Sequence, residues 1–271
     1  MKRLLIGMII LVITMTAANA TPKISFFEEF PDQDILDEIK LINFNTTIYL
    51  AAHNLSEFQR YEKEFKQKNQ YIKKTVYWPI LEKKEGYWIS PFSNRKALER
   101  IFSELEGKKV PVMLDLELPT TRNPLLYITQ LGNFRRNKKL ISDFIQNYSG
   151  EIYTAEYFPR WKWGDRKLQA LGLHYPYPKT KVIKMLYHSM HPSFSDLYIQ
   201  KQLQRGKEQW GNNFIVGYGT IATGISGREK ILRPEQLKKD LKIAHVVGVQ
   251  EVVIFRLGGW NKEYDDVRSV G

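Results

Sequence analysis

Short runs of β-forming residues alternate with amphipathic segments along almost the whole chain. The runs are rich in β-branched and aromatic residues, whereas the segments between them repeat apolar residues every three or four positions. Eight runs are predicted to be strands: residues 24–30, 46–52, 75–81, 111–118, 151–158, 182–189, 214–221 and 251–259. This regular alternation indicates an α/β protein.

Four of the intervening segments have the clearest helical pattern: residues 32–42, 55–69, 93–105 and 234–247. Ser93 or Asn94 is the expected N-cap of the third, because a short polar side chain can accept a hydrogen bond from a free backbone N–H. The fourth begins with Pro234 and ends before Gly248, which is the usual asymmetry of helix ends. Residues 159–181, rich in Trp, Tyr and Pro, are predicted to form a long loop.

The order of these elements favours a closed barrel. Strands that alternate with crossover helices pair in parallel, and eight of them in about 250 residues are typical of a (β/α)8 TIM barrel. The alternative is an open doubly wound sheet, which usually places a glycine-rich turn after its first strand, where this chain has Phe30, Pro31 and Asp32. We therefore predict a single barrel domain over residues 21–271, in which only eleven residues after Trp260 remain for the last helix.

The first twenty residues have the three parts of a secretory signal peptide. Lys2 and Arg3 precede an apolar run over residues 4–15, and Ala18 and Ala20 frame a cleavage site of small residues. The run is shorter than the roughly 20 residues of a membrane-spanning helix, so an uncleaved anchor is the weaker alternative. We predict cleavage after Ala20 and an exported protein that is extracellular, periplasmic or held at the cell envelope.

Composition and charge narrow the classes of function. The chain has 271 residues and no cysteine, which excludes disulfides, thiolate metal sites and a thiol nucleophile. Its formal net charge is +12, or +10 once Lys2 and Arg3 are removed. Such an excess suits an anionic cell surface or glycan, or it reflects solvated helix faces. Nucleic acid is not an expected partner, because the protein is exported and its lysines are spread along helices. No cofactor is expected, and the oligomeric state stays open.

The fourth predicted strand carries the most informative side chains. Asp115 and Glu117 alternate with apolar residues, so both carboxyls lie on one face. At the C-terminal end of a barrel strand, that face lines the mouth in which TIM-barrel active sites lie. Two acids this close repel each other, which raises at least one pKa and suits a general acid. The alternative is a structural ion pair with Arg256, which is predicted to face inward from the eighth strand.

Other strand ends contribute acids and aromatic rings. Glu156 is expected to face inward from the fifth strand. Only one of Glu28 and Glu29 can face inward, and Glu28 is expected to, because it shares the parity of Ile24 and Phe26. Five aromatic residues are predicted at the same rim: Trp78, Tyr157, Trp161, Trp163 and Trp260. Taken singly, each ring suits core packing, but rings that flank carboxylates also form a sugar-binding cleft.

Three of these features resemble the chitinase-like family 18 glycoside hydrolases: Asp115-x-Glu117 on the fourth strand, Met185-x-Tyr187 on the sixth, and the tryptophan that ends the eighth. The resemblance implies that Glu117 is the proton donor and that Asp115 and Tyr187 orient the substrate N-acetyl group. The chain departs from the family pattern before Asp115, where two aspartates are replaced by Met113 and Val110. It also has His188 where the family has an acid after the tyrosine.

The favoured hypothesis is an exported glycoside hydrolase-like barrel that cleaves a polysaccharide. Glu117 is the expected general acid/base, Asp115 adjusts its pKa, and Glu156 or Glu28 is the second carboxylate. The expected substrate-binding residues are Tyr187, His188, Arg256, Trp78, Trp260 and Tyr157. One alternative is a catalytically inactive barrel that binds an anionic glycan or an envelope partner. Another is a metal-dependent phosphodiesterase in which His188 joins the acids.

Overall fold

A computed structural model describes residues 21–32, 35–120, 125–159 and 163–268. Within them, eight parallel strands pair in chain order, and the first also pairs with the last, which closes the barrel. The strands are β1 (Lys23–Glu28), β2 (Thr46–Ala52), β3 (Ile72–Pro79), β4 (Val112–Leu116), β5 (Ile152–Tyr157), β6 (Lys181–Met185), β7 (Phe214–Gly219) and β8 (Glu251–Phe255). The prediction of a (β/α)8 TIM barrel is confirmed, and the open doubly wound sheet is excluded because β1 and β8 pair. The predicted signal peptide lies outside the described residues.

Helices connect each strand to the next and cover the barrel. They are α1 (Leu36–Leu41), α2 (Leu55–Lys68), α3 (Arg95–Leu105), α4 (Leu125–Leu131), α5 (Phe134–Asn147), α6 (Gly164–Leu171), α7 (Asp196–Trp210), α8 (Pro234–Val247) and α9 (Lys262–Asp265). The Asn94 side chain caps α3 by accepting from the Ala97 N–H at 3.2 Å. Gly248 ends α8 with a φ of 77°, a left-handed conformation that glycine adopts without strain. No helix of the described residues is long and apolar enough to cross a membrane.

The prediction of one long loop over residues 159–181 is wrong. The segment contains α6, which ends at Gly172 with a φ of 68°. This helix has only eight residues, so its periodicity is weak beside the Trp, Tyr and Pro that flank it. After β8, the described residues contain α9, a helix of a single turn.

The side chains of the strands form two separate apolar layers. Alternate residues point into the barrel, where Phe27, Tyr49, Met113 and Ile215 pack together. The residues between them point outward and pack under the helices, as Phe26 does. Both faces of each strand are therefore buried, and the sheet itself has no solvent-exposed face.

Charged side chains fill the N-terminal end of the barrel. Glu151 accepts hydrogen bonds from Lys74 and, at 2.6 Å, from Lys181. These bonds lower the pKa of Glu151 to about 2 against the opposing effect of burial. Ser25 donates to Glu251 at 2.7 Å in the same layer. Because this polar network occupies the interior at one end, a ligand has access from the other.

Candidate active site

A cavity of about 440 Å³ opens at the C-terminal end of the barrel. The ends of β1, β3, β4, β5, β6 and β8 contribute inward-facing side chains to it, and the loop between β7 and α8 covers part of its wall. This is the end at which TIM-barrel enzymes place their active sites. Acidic side chains and aromatic rings line this cavity together.

Asp115 and Glu117 lie side by side in this cavity. Asp115 points inward near the end of β4, and Glu117 follows the strand on the same face, as the alternation of β4 predicts. Asp115 is 5% exposed, and Glu117 is half-buried. The two carboxyls interact with each other, and Glu117 also interacts with the Tyr157 hydroxyl.

Burial makes both acids harder to ionise. The pKa of Asp115 is raised well above its usual value, first by burial and then by the charges of Glu117 and Glu29. Burial also raises the pKa of Glu117, although the hydrogen bonds from Tyr157 and Asp115 oppose it. A carboxyl pair in this state holds a proton near neutral pH, which is the condition that a general acid requires.

Glu29 is the third carboxyl of the cavity, although Glu28 was the residue predicted to face inward here. Its oxygens accept hydrogen bonds from the Tyr87 hydroxyl and from the Ile225 backbone N–H, each at 3.0 Å. Burial nevertheless raises its pKa to about 8, so Glu29 is neutral at pH 7. Tyr87 has a φ of 64°, a left-handed conformation that is strained for a tyrosine and that occurs here beside the cavity.

Aromatic rings form much of the apolar wall. Trp78, at the end of β3, stacks on Trp88 with 5.9 Å between ring centroids and 9° between planes. Phe27 packs edge-on against Trp78 at 5.5 Å, and Tyr187 packs against Phe255 at 6.0 Å. The structure thus brings the predicted residues Trp78, Tyr157 and Tyr187 to the cavity. The cavity is also lined by Trp88, which was not predicted. Trp88 lies in a loop before α3, where no strand alternation indicates the direction of a side chain.

Glu156 does not line the cavity, so its predicted inward orientation is wrong. Its side chain points outward from β5 and is fully buried under α6 and α7. There it accepts hydrogen bonds from Lys184 at 2.8 Å and from His174 at 2.7 Å. These partners lower its pKa to about 2 despite burial. The buried ion pair explains how an acid can occupy the outward face of a strand.

Glu28 and Arg256 also point away from the cavity, contrary to their predicted inward orientation. They form an ion pair of 2.8 Å that links the end of β1 to the end of β8. Glu28 accepts two further hydrogen bonds, from the backbone N–H of Phe30 at 2.8 Å and of Gly258 at 2.7 Å. The structure shows Arg256 paired with Glu28 and not with the fourth-strand acids, for which an ion pair with Arg256 was the predicted alternative.

His188 and Trp260 are the other predicted site residues that lie elsewhere. His188 bonds to Asp240 of α8 at 3.2 Å, which raises its pKa. Trp260 is fully buried in the outer layer, where it packs edge-on against Phe26 at 4.9 Å. Neither side chain lines the cavity, because each packs against an element outside the barrel interior. Trp163 is exposed, and Trp161 lies outside the described residues.

A metal centre has no support in the described ranges. No group of three or more His, Asp or Glu side chains there is arranged to hold a metal ion. His188 in particular is turned toward Asp240 and not toward Asp115 or Glu117. The arrangement that the phosphodiesterase alternative requires is therefore not formed by these residues.

Comparison with known proteins gives a similar fold and no sequence relative. No family model and no curated protein matches the chain. A candidate alpha-L-fucosidase from Bacteroides thetaiotaomicron is 9% identical, with a TM-score of 0.51 over 99% of both chains. The mandelate racemase/muconate lactonizing protein from Herpetosiphon aurantiacus is 7% identical, with a TM-score of 0.46 over 89% of this chain. This chain spans about half of that protein, 54% of its length. At such identities the similarity shows the barrel fold alone.

Proposed function

We propose that this protein is a glycoside hydrolase whose general acid/base is Glu117. The observation that carries the proposal is the pair of interacting carboxyls of Asp115, which is buried, and Glu117, which is half-buried, at the C-terminal end of β4 beside stacked tryptophans. The same two positions carry the resemblance to family 18 glycoside hydrolases, together with Tyr187, which also lines the cavity. The fold shared with the candidate fucosidase is compatible with this class of reaction.

In the proposed reaction, Asp115 and Glu117 begin with one proton between them. Glu117 donates it to the glycosidic oxygen as the bond from that oxygen to the anomeric carbon breaks. The two carboxylates then face the positive charge that develops on the sugar ring and stabilise it. Water attacks the anomeric carbon, and its proton returns to Glu117. The pair thereby regains its starting charge.

The remaining cavity residues have roles in binding. Trp88, stacked on the buried Trp78, offers an apolar surface against which the C–H groups of a pyranose can pack. Glu29 is neutral at pH 7 and can donate a hydrogen bond to a sugar hydroxyl. Glu29 takes the place of Glu28 and Glu156 as the third acid of the cavity, since both of those are used in ion pairs.

Comparison of the wild-type protein with Glu117→Gln tests this function. Both proteins are incubated with chitin, peptidoglycan and acidic glycans, and released reducing ends are measured. We expect the variant to lose turnover by about 10²–10⁴-fold and to keep its affinity, because glutamine preserves shape but cannot donate the proton. Glu64→Gln, which removes an exposed acid of α2, is the matched control and keeps full activity.

Two results would contradict the proposal in different ways. Equal hydrolysis by the wild type and Glu117→Gln would show an active barrel with another acid. Retention on one glycan without hydrolysis by either protein would favour a binding module instead. If the protein is a binding module, an anionic glycan is a poor ligand for this cavity. The described lining of the cavity contains acids and no lysine or arginine.

A further inference from the structure

The cavity has the opposite charge from the rest of the chain. The formal net charge of the protein is +12, yet the described residues that line the cavity include four acids and neither lysine nor arginine. Glu29, Asp115 and Glu117 lie in its wall, Glu229 lies at its edge, and His191 is the basic side chain among the described lining. Such a local field attracts cations, even though the molecule as a whole repels them.

Two buried polar atoms in the cavity wall have no hydrogen-bond partner among the described residues. They are Oδ1 of Asp115 and Nε1 of Trp78, and both side chains are more than nine-tenths buried. Buried polar atoms are nearly always paired, so these two mark places where a ligand supplies the partner. Asp115 is readily protonated where no cation faces it, whereas a cationic donor on a ligand would ionise it and pair with this oxygen.

The neighbouring acids favour a charged donor over a neutral one. Glu29 and Glu117 both raise the pKa of Asp115, so the three carboxyls are close enough to interact. No lysine or arginine faces them from the described lining, and a ligand cation would supply the missing charge. The ring of Trp88 in the same wall, stacked on Trp78, can also attract a cation.

We propose that the cavity binds a sugar with a free primary amine, that is, a de-N-acetylated amino sugar within a glycan. The ammonium group donates to Asp115 and Glu29, and its positive charge lowers the pKa of both acids so that they ionise when it binds. The sugar ring packs against Trp88, which is stacked on Trp78. An N-acetyl group in the same place carries no positive charge, so it cannot stabilise the ionised form of these acids. This inference rests on the proposed glycosidase function and specifies the substrate class of that same site.

The test is a set of binding measurements on Glu117→Gln, which cannot turn over the probes. Calorimetry compares glucosamine and galactosamine oligomers with their N-acetylated counterparts of equal length. We expect at least one amine oligomer to bind about ten-fold or more tightly than its acetylated form. Nonspecific electrostatics cannot produce that preference, because a protein with a charge of +12 repels a polycation.

Second-site variants locate the preference within the cavity. Added to Glu117→Gln, either Asp115→Asn or Glu29→Gln should reduce the preference to near unity, whereas Glu64→Gln on the surface of α2 should leave it unchanged. Near-UV circular dichroism checks that each variant is folded, and the two cavity variants guard against failure of either one. A preference that survives both, equal affinity for both forms, or no binding of any oligomer would overturn the inference.

Hydrolysis by the wild type separates this inference from the proposed function. Cleavage of acetylated oligomers that needs Glu117, without any preference for amines, would retain the glycosidase and overturn the amine site. Preferential binding of amine oligomers without hydrolysis of any probe would overturn the glycosidase and retain the amine site.

Discussion

The Glu117 carboxyl is under two opposing influences. Burial raises its pKa, whereas the hydrogen bonds that it accepts from Tyr157 and Asp115 lower it. The Tyr157 hydroxyl is the simpler of the two to remove, because phenylalanine has nearly the same shape. The proton affinity of the proposed general acid therefore depends on one phenolic O–H.

We expect Tyr157→Phe to raise the pKa of Glu117. A general acid must be protonated, so the alkaline limb of the kcat/KM profile should move to higher pH, by about one unit. The measurement is the pH dependence of kcat/KM for both proteins. Tyr187→Phe, which removes another hydroxyl from the cavity, is the matched control. An alkaline limb that does not move would show that Tyr157 does not influence the acid.

Glu29 should make the stability of the protein depend on pH. Its pKa is about 8 in the folded protein and 4.5 as an ordinary glutamate, so the folded state binds the extra proton between these values. The free energy of unfolding should then fall as pH rises from 4.5 to 8, by at most about 1.4 kcal/mol per pH unit from this group. Glu29→Gln removes that contribution.

Urea unfolding of the wild type and Glu29→Gln at several pH values between 5 and 8 measures this effect. The stability of the variant relative to the wild type should increase across that range. Glu64→Gln, which changes the net charge equally at the surface, should follow the wild type. Parallel curves for the wild type and Glu29→Gln would contradict a raised pKa of Glu29.

At the scale of elements, a buried ion network joins β5 and β6 to α6. Lys184 donates to Glu156 at 2.8 Å and to Asp165 of α6 at 3.2 Å, and its ammonium lies 4.8 Å from the ring centre of Trp210. Lys184 is fully buried, so neither its charge nor that of Glu156 can be stabilised by water. The network fixes the position of α6 on the outside of the barrel.

We expect Lys184→Met to destabilise the fold by about 3–5 kcal/mol, because it leaves Glu156 charged and buried without its lysine. The double variant Lys184→Met/Glu156→Gln should recover part of that loss, since it removes both charges. Urea unfolding of Lys184→Met, of Glu156→Gln and of the double variant gives the coupling energy. Additive losses would show that the pair does not act as a unit.

At the scale of the whole molecule, the two ends of the barrel have different roles. The N-terminal end is filled by the Lys74, Glu151 and Lys181 network, while the C-terminal end keeps an open cavity. The basic charge is distributed over the exterior, and we propose that it associates an exported protein with an anionic cell surface. We propose that the first twenty residues direct this export.

We expect the mature protein to begin at Thr21. The full chain is expressed in a bacterial host that exports proteins, and the mass of the exported protein is measured. A variant with Ala18 and Ala20 both changed to Lys should not be cleaved, because the cleavage site requires small residues. A wild-type protein that keeps residues 1–20 would support the membrane anchor in place of the signal peptide.

Much of the fold could be predicted because its signals are local. The bounds of β2 and α8 agree with the prediction, and the Asn94 cap and the Gly248 stop lie within a few residues of the helices that they end. These features depend on neighbouring backbone groups, which the sequence specifies directly. The helix α6 was missed because eight residues carry too little periodicity to compete with the flanking Trp and Pro.

The candidate site could be predicted only in part. Asp115 lies on the otherwise apolar strand β4, and Glu117 follows directly after it. Their orientation into the cavity follows from alternation alone. The faces of Glu28 and Glu156 could not be found in this way. Each pairs with a cation remote in sequence: Arg256 is 228 residues from Glu28, and Lys184 is 28 residues from Glu156.

The sequence by itself thus determined the number of strands, their order and the alternation of their side chains. Only the tertiary structure decided which side of β1, β5 and β8 faces the interior. The physical reason is that both faces of a barrel strand are buried, so an apolar pattern does not distinguish them. An acid can occupy either face, and the choice depends on whether a distant basic side chain lies there to pair with it.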